Sequence, residues 1–345
     1  MNRQLHGDDP AAPAAPSAAL VSPACPWVEP GCLLTYPFAM NEPTRGADVS
    51  PRKSDAKPAL LGIVCGLGAA LCWALGFVAT RHGLKLGFTP VDLLMHRFLW
   101  SGIAFLPIVV RAGLGNLGGI GWGRGLVLMV LGGPVMSLIS YTGFLFVPLG
   151  HGSVIQPSSA TLGGVFLAAV LLKERISLSR FLGAIVIVGG LVVIGAESIG
   201  HIGPSAVQGD LIFVMTGFMF AGFGTLLRHW RVSAFSAATV ISVLSLALLP
   251  FYAISGGPAR VAAIGLGENA LQALAQGILA GPAAMYLFVF SIQTLGVARA
   301  AVFPAIVPAL TLLVGWLLIG EPPTALQAAG LATVLCGFYL AQRQR

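Results

Sequence analysis

Past residue 57 the chain alternates between long apolar runs and short polar breaks. Ten runs stand out, at 60–80, 91–110, 125–147, 152–172, 181–197, 209–227, 236–254, 270–290, 298–319 and 325–341. A helix that crosses the hydrocarbon layer needs about 20 mostly apolar residues. The runs reach that length or approach it, the fifth and last being the shortest, so the pattern predicts ten transmembrane helices. Pro and Gly interrupt several runs, which membrane helices tolerate better than soluble ones. Residues 1–57 differ: they read AAPAAPSAAL, then scattered Pro, Ala, Ser and charge. No useful apolar period appears, which predicts a disordered cytoplasmic tail. Arg3 is followed by Asp8, Asp9 and prolines rather than an apolar stretch, so the start does not read as a secretory signal. Met40 is a candidate alternative start.

Composition agrees with this fold class, an all-α polytopic membrane protein. Hydrophobic residues make up 56% of the chain and charged residues 9%, with a mean hydropathy of +0.88. A soluble domain carries about 25% charged residues. The net charge of +7 does not point to nucleic acid, because the cations gather at the ends of the runs. With the N-terminus inside, the inner loops hold Arg111, Arg124, Lys173, Arg175, Arg180, Arg228 and Arg231, and the outer loops only Arg81, Lys85 and Arg260. The asymmetry predicts both termini in the cytoplasm, in a bacterial inner membrane.

The second half repeats the first. A shift of 147 carries Glu174 onto Glu321, Pro157 onto Pro304, Gly183 onto Gly330, Gly190 onto Gly337, Gly62 onto Gly209 and Arg81-His82 onto Arg228-His229. Gly133-Pro134 and Gly281-Pro282 match at a shift of 148. Each half, 58–197 and 208–342, holds five spans, an odd number, so the second enters the membrane from the opposite side. The expected architecture is a 5+5 inverted repeat, which marks transporters because two similar halves can exchange slightly different shapes.

The runs LGAALCWALGFVATRHGL and TPVDLLMHRF, with SVIQPSSATLGGVFLAAVLLKERISLSRFLGAIVIVGGLVVI and RAAVFPAIVPALTLLVGWLLIGEPPTALQAAGLATVLCGFYL, resemble the drug/metabolite transporter superfamily, EamA-type. The resemblance covers roughly residues 60–341; the long tail is not part of it. It implies a ten-helix bundle around a central cavity lined by the first four helices of each half. It also implies a peripheral fifth helix in each half, linked to dimer contacts, so a homodimer is a further expectation.

The candidate substrate-binding residues are Trp73, His96, Arg97, Tyr141, Gln156, Pro157, Tyr286, Arg299 and Pro304. Arg97 and His96 form the best polar cluster within a run, because a charge in lipid must face protein, water or the interface. Asp92 shares their helix and could pair with Arg97. A proline within a helix frees a carbonyl that can meet substrate, which singles out Pro157 and Pro304. Arg299 opens the ninth run and could serve the second half or anchor at the interface; packing or belt roles are the plainer reading of Trp73, Tyr141, Gln156 and Tyr286, as of His151, Ser158, Gln276 and Gln293. Glu174 and Glu321 end equivalent runs and read as structural. Thr324 and Gln327 have the spacing of a capping box.

Gly113-x-Gly115-x-x-Gly118 follows no βαβ pattern and reads as a loop. No phosphate-binding loop, metal-ligand spacing or catalytic motif is present in the sequence, so no catalytic residue, metal or cofactor is expected. The leading reading is a secondary transporter of a small polar metabolite, amino acid-like or another organic solute, with export as one open direction. A lipid flippase or drug efflux carrier of the same fold is the alternative, and an intramembrane enzyme is a more distant one. The expected partners are a small-molecule substrate and membrane lipids. With Asp92 and Asp210 the only acidic candidates for coupling near spans, both close to an end, facilitated transport or exchange is favoured and proton coupling stays open.

Overall fold

A computed structural model describes residues 56–171, 173, 177–300 and 302–342. The tail, its Met40 start and Glu174 lie outside the described residues. Among the described residues nine helices are long and apolar enough to cross a membrane: Ala59–Lys85, Pro90–Ala112, Trp122–Gly143, Leu149–Leu171, Leu178–Gly200, Pro204–Trp230, Ala234–Ile254, Leu266–Leu295 and Val302–Ile319. A shorter apolar helix, Ala325–Ala341, follows. These are the first to tenth spans. Large apolar side chains such as Leu178, Val192, Leu211, Phe251 and Leu317 stay exposed around the bundle. In water they would be an aggregation hazard; in a bilayer they are the lipid-facing surface.

The loops joining spans 1–2, 3–4, 5–6, 7–8 and 9–10 share one face, here the distal face; the start of the first span and the end of the tenth lie on the opposite, terminal face. Side-chain bonds confirm the grouping: Glu321 reaches Arg81 and Leu149, and Glu197 reaches Thr324.

The inverted repeat appears as reciprocal contacts. A Cβ placed on Gly183 would lie 2.7 Å from the carbonyl oxygen of Gly337, and one on Gly190 would lie 2.9 Å from that of Gly330. The shift of 147 converts the first pair into the second, so the fifth and tenth spans cross on the pseudo-two-fold axis itself. Other pairs interchange. Gly62 of the first span sits against Thr294 and Leu295 of the eighth; Gly209 of the sixth sits against Phe146 and Val147 after the third. Gly76 meets Ala280, and Gly132 meets Phe223. The halves are therefore interleaved, with the first span packed on the eighth and ninth and the sixth on the third and fourth. Small residues permit this approach, and close packing drives association where lipid supplies no hydrophobic force.

Gly190→Leu should therefore lower thermal stability by about 3 kcal/mol, since its Cβ would meet the Val334 side chain at 2.7 Å and backbone atoms of Gly330 and Val334 at 2.9 and 3.0 Å. Gly189→Leu is the control, because a Cβ there meets nothing within 4 Å. Melting curves in detergent would compare the two, and equal melting points would contradict this packing.

Two spans are broken at matched positions. The third runs as Trp122–Gly132 and Pro134–Gly143, divided at Gly133 with φ −115° and ψ −141°. The eighth winds as a π-helix over Ala273–Ala283 and leaves helical geometry at Gly281, before Pro282. Each break combines a flexible glycine with a proline that cannot donate a backbone bond.

Candidate functional site

The second span begins with a built N-terminus. The Thr89 hydroxyl accepts from the Asp92 backbone N–H, and the Asp92 carboxylate accepts from the Thr89 backbone N–H at 2.9 Å. Asp92 is fully buried and also takes bonds from Tyr252 at 2.8 Å and Arg260 at 3.0 Å. Its lone pairs are thus spent on the cap, on Tyr252 at the end of the seventh span and on Arg260 in the loop after it. The expected pairing with Arg97 is not formed.

Arg97 lies seven residues inside the second span, roughly 10 Å along its axis from Pro90. It is half-buried and faces the Tyr141 hydroxyl of the third span. Among the described residues no carboxylate lies within ion-pair distance of it. Tyr141 donates to Gln276 Oε1 at 3.2 Å. Gln276 in turn donates to the Gly76 carbonyl at 3.0 Å and to the Thr80 hydroxyl. One turn away, Gln272 donates to the Ala79 carbonyl at 2.9 Å. A polar layer thus joins the first, second, third and eighth spans. It is built on the two broken helices: Tyr141 follows the Gly133 break, and Gln276 sits on the π-wound turns before Gly281. Beside it, Gln156 accepts from Ser140 at 3.2 Å and stays half-buried.

Nearer the distal face, Glu321 closes the bundle. Its carboxylate holds Arg81 at 2.9 Å and Lys85 at 2.7 Å and accepts from the Leu149 backbone N–H at 3.2 Å. Arg81 also donates to the Phe144 carbonyl at 2.6 Å. The first, third, fourth and ninth spans are tied there. Burial pushes the Glu321 carboxyl up, but the bonds from Lys85, Arg81 and Leu149 outweigh it and hold the carboxyl below the usual range. Such a carboxylate adds stability above its unfolded-state value, about 4.3. That stability is lost as pH falls from there through the folded-state value. Melting temperature should drop with acidification in that window, and Glu321→Gln should flatten the drop. An unchanged acid slope in the variant would contradict the assignment.

Comparison with known proteins adds the family. The EamA-like transporter family matches residues 60–196 and 207–342. The chain belongs to that family. Two curated relatives are similar over most of their length. An uncharacterized transporter of Archaeoglobus fulgidus is 26% identical, over 79% of this chain and 95% of its own. The uncharacterized transporter YdfC of Bacillus subtilis is 25% identical, over 78% and 87%. A crystal structure of a protein 20% identical has a TM-score of 0.50, covering 84% of this chain and 97% of that one, and shares the fold.

In this EamA-like transporter the sequence candidates divide. Arg97, Tyr141 and Gln156 lie at or beside the polar layer. His96 shares the second span but points elsewhere: its Nε2 meets Asn269 Oδ1 at 3.0 Å, and it accepts from Trp100 at 3.4 Å. Trp73 is half-buried and packs edge-on against Phe288 at 5.3 Å. Pro157 lies within the unbroken helix Leu149–Leu171, and its carbonyl accepts from Thr161. Pro304 is the third residue of the described helix Val302–Ile319. Tyr286 is 42% exposed, and Arg299 is exposed in the short turn Val297–Ala300. Neither joins the layer. Sequence reasoning gave no weight to Thr80, Gln272 or Asn269, and took Gln276 as a packing residue. The signal for Gln276 was its place five residues before a repeat-matched Gly-Pro.

The capping box expected at Thr324 is half formed. The Gln327 backbone N–H donates to the Thr324 hydroxyl, but its side chain turns to Glu197 instead.

Proposed function

We propose that this EamA-like transporter is a secondary carrier of a small polar metabolite bearing a carboxylate or another anionic group, amino acids and related solutes being the fitting class. The observation that carries the reading is Arg97, a half-buried guanidinium inside the bundle without a described acidic partner. A cation at that depth needs a counter-charge, and a guanidinium binds a planar carboxylate through two bonds. Tyr141 and Gln276 stand beside it to orient the ligand, on broken helices at matched places in the two halves. Interrupted helices in corresponding positions are the sequence feature that best points to a carrier site.

Alternating access supplies the mechanism. Arg81, Lys85 and Glu321 fasten the distal face, and the shift of 147 carries Arg81 onto Arg228 and Glu321 onto Glu174. The sequence thus holds the material for a matching lock on the terminal face. One lock closes while the other opens as the halves rock. The cation asymmetry of the loops supports cytoplasmic termini.

The test is counterflow in proteoliposomes with paired solutes: amino acids against their decarboxylated amines, and carboxylates against their amides. Exchange should follow the carboxylate. Preference for the amines, or indifference to the acid group, would refute the anionic assignment.

A further inference from the structure

A second polar cluster lies on the distal side of the bundle, away from Arg97. His151, in the first turn of the fourth span, is fully buried. Its Nδ1 lies 2.9 Å from Asp210 of the sixth span. Its Nε2 lies 3.5 Å from Glu197 Oε2 of the fifth span, yet that nitrogen has no hydrogen-bond partner. Ser198 donates to the other Asp210 oxygen. Thr324 and Gln327 of the tenth span donate to the two Glu197 oxygens at 3.0 and 3.2 Å. The other charged groups at this end of the fourth span are Arg81, Lys85 and Glu321, which are paired with one another.

The bonding lacks one proton. A neutral imidazole donates through Nδ1 to Asp210, and its Nε2 lone pair then faces the Glu197 carboxylate. The buried His151 and Glu197 and the part-buried Asp210 would carry two negative charges between them, a costly arrangement at a largely buried site. One added proton, resting on Nε2 or on Glu197, turns the 3.5 Å contact into a hydrogen bond and leaves a single negative charge. The Asp210 side chain keeps 13% exposure and provides the way in from water. The three groups are not placed to hold a metal ion.

We propose that His151, Asp210 and Glu197 form a proton-binding site that fastens the two halves together at the distal face. His151 and Glu197 belong to the first half, Asp210 and the Thr324–Gln327 donors to the second. Proton uptake tightens the junction and proton release loosens it, so the site couples proton binding to the rocking of the halves. The inference is independent of Arg97 and of the substrate.

Hydrogen–deuterium exchange on the full chain in lipid nanodiscs tests it without substrate. Between pH 8 and pH 6, after correction for intrinsic chemistry, segments 149–153, 195–200, 208–212 and 324–328 should exchange roughly ten-fold more slowly at the lower pH. Glu197→Gln places an amide N–H against Nε2 and imitates the protonated site; it should be protected at both pH values. His151→Asn should lose the pH response. The proposal is overturned if the wild-type segments show no pH-dependent protection, or if Glu197→Gln keeps the full wild-type response. The Glu197→Gln result stands even if His151→Asn does not fold.

Discussion

Arg97→Gln should cut transport in proteoliposomes on the order of a hundred-fold, while expression, insertion and melting temperature stay near normal. The amide keeps most of the volume but cannot neutralise an anion. Removing one partner of a buried charge pair weakens binding by about 2–5 kcal/mol. Stability should hold because no described ion pair is broken with it; Asp92 keeps its bonds to Thr89, Tyr252 and Arg260. Arg97→Lys should recover only part of the activity, since an ammonium is a point charge and cannot form the two-bonded pair. Normal transport in Arg97→Gln would make Arg97 peripheral, and a misfolded variant would make it structural.

The second large effect belongs to the distal lock. Glu321→Arg would face Arg81 and Lys85 with a third cation and leave the Leu149 N–H without its acceptor. The variant should lose about 2 kcal/mol of stability after allowance for the 19% exposure of Glu321. Its transport should fall because the distal face no longer closes. Arg81→Glu combined with Glu321→Arg restores opposite charges across the first and ninth spans. The double variant should therefore recover activity, with a coupling of about 1–3 kcal/mol in the cycle. Additive losses would show that the pair does not act as a lock.

Much of this fold is legible because lipid imposes a simple rule. Every span needs its own apolar run, so the runs count the helices. The shift that pairs Gly183 with Gly330 and Gly190 with Gly337 also announces the crossing of the fifth and tenth spans, since glycine matters most where backbones touch. The site is less legible. Tyr141 and Tyr286 look alike in sequence, each a tyrosine in an apolar run, yet one is buried in the polar layer and the other is 42% exposed. Helix rotation decides between them, and rotation depends on partners far along the chain: Gln276 bonds Thr80 across 196 residues. Prolines raise the same difficulty. Pro157 is carried within a continuous helix, whereas Pro134 and Pro282 mark real breaks because each follows a glycine that leaves helical geometry. Glu197 ends an apolar run and drew no attention, although it meets His151 and Gln327 from other spans.

The central claim is that two interleaved halves exchange shapes about a site between them. Paired spin labels report this directly. One pair at Leu145 and Leu266 spans the halves on the distal face, and another at Leu178 and His229 spans them on the terminal face; all four positions are exposed. The account predicts opposed movement. Glu321→Gln, or a transported carboxylate, should lengthen the distal distance in a fraction of molecules and shorten the terminal distance in the same fraction. Distances that change together, or a distal face that opens with no response at the other, would contradict it.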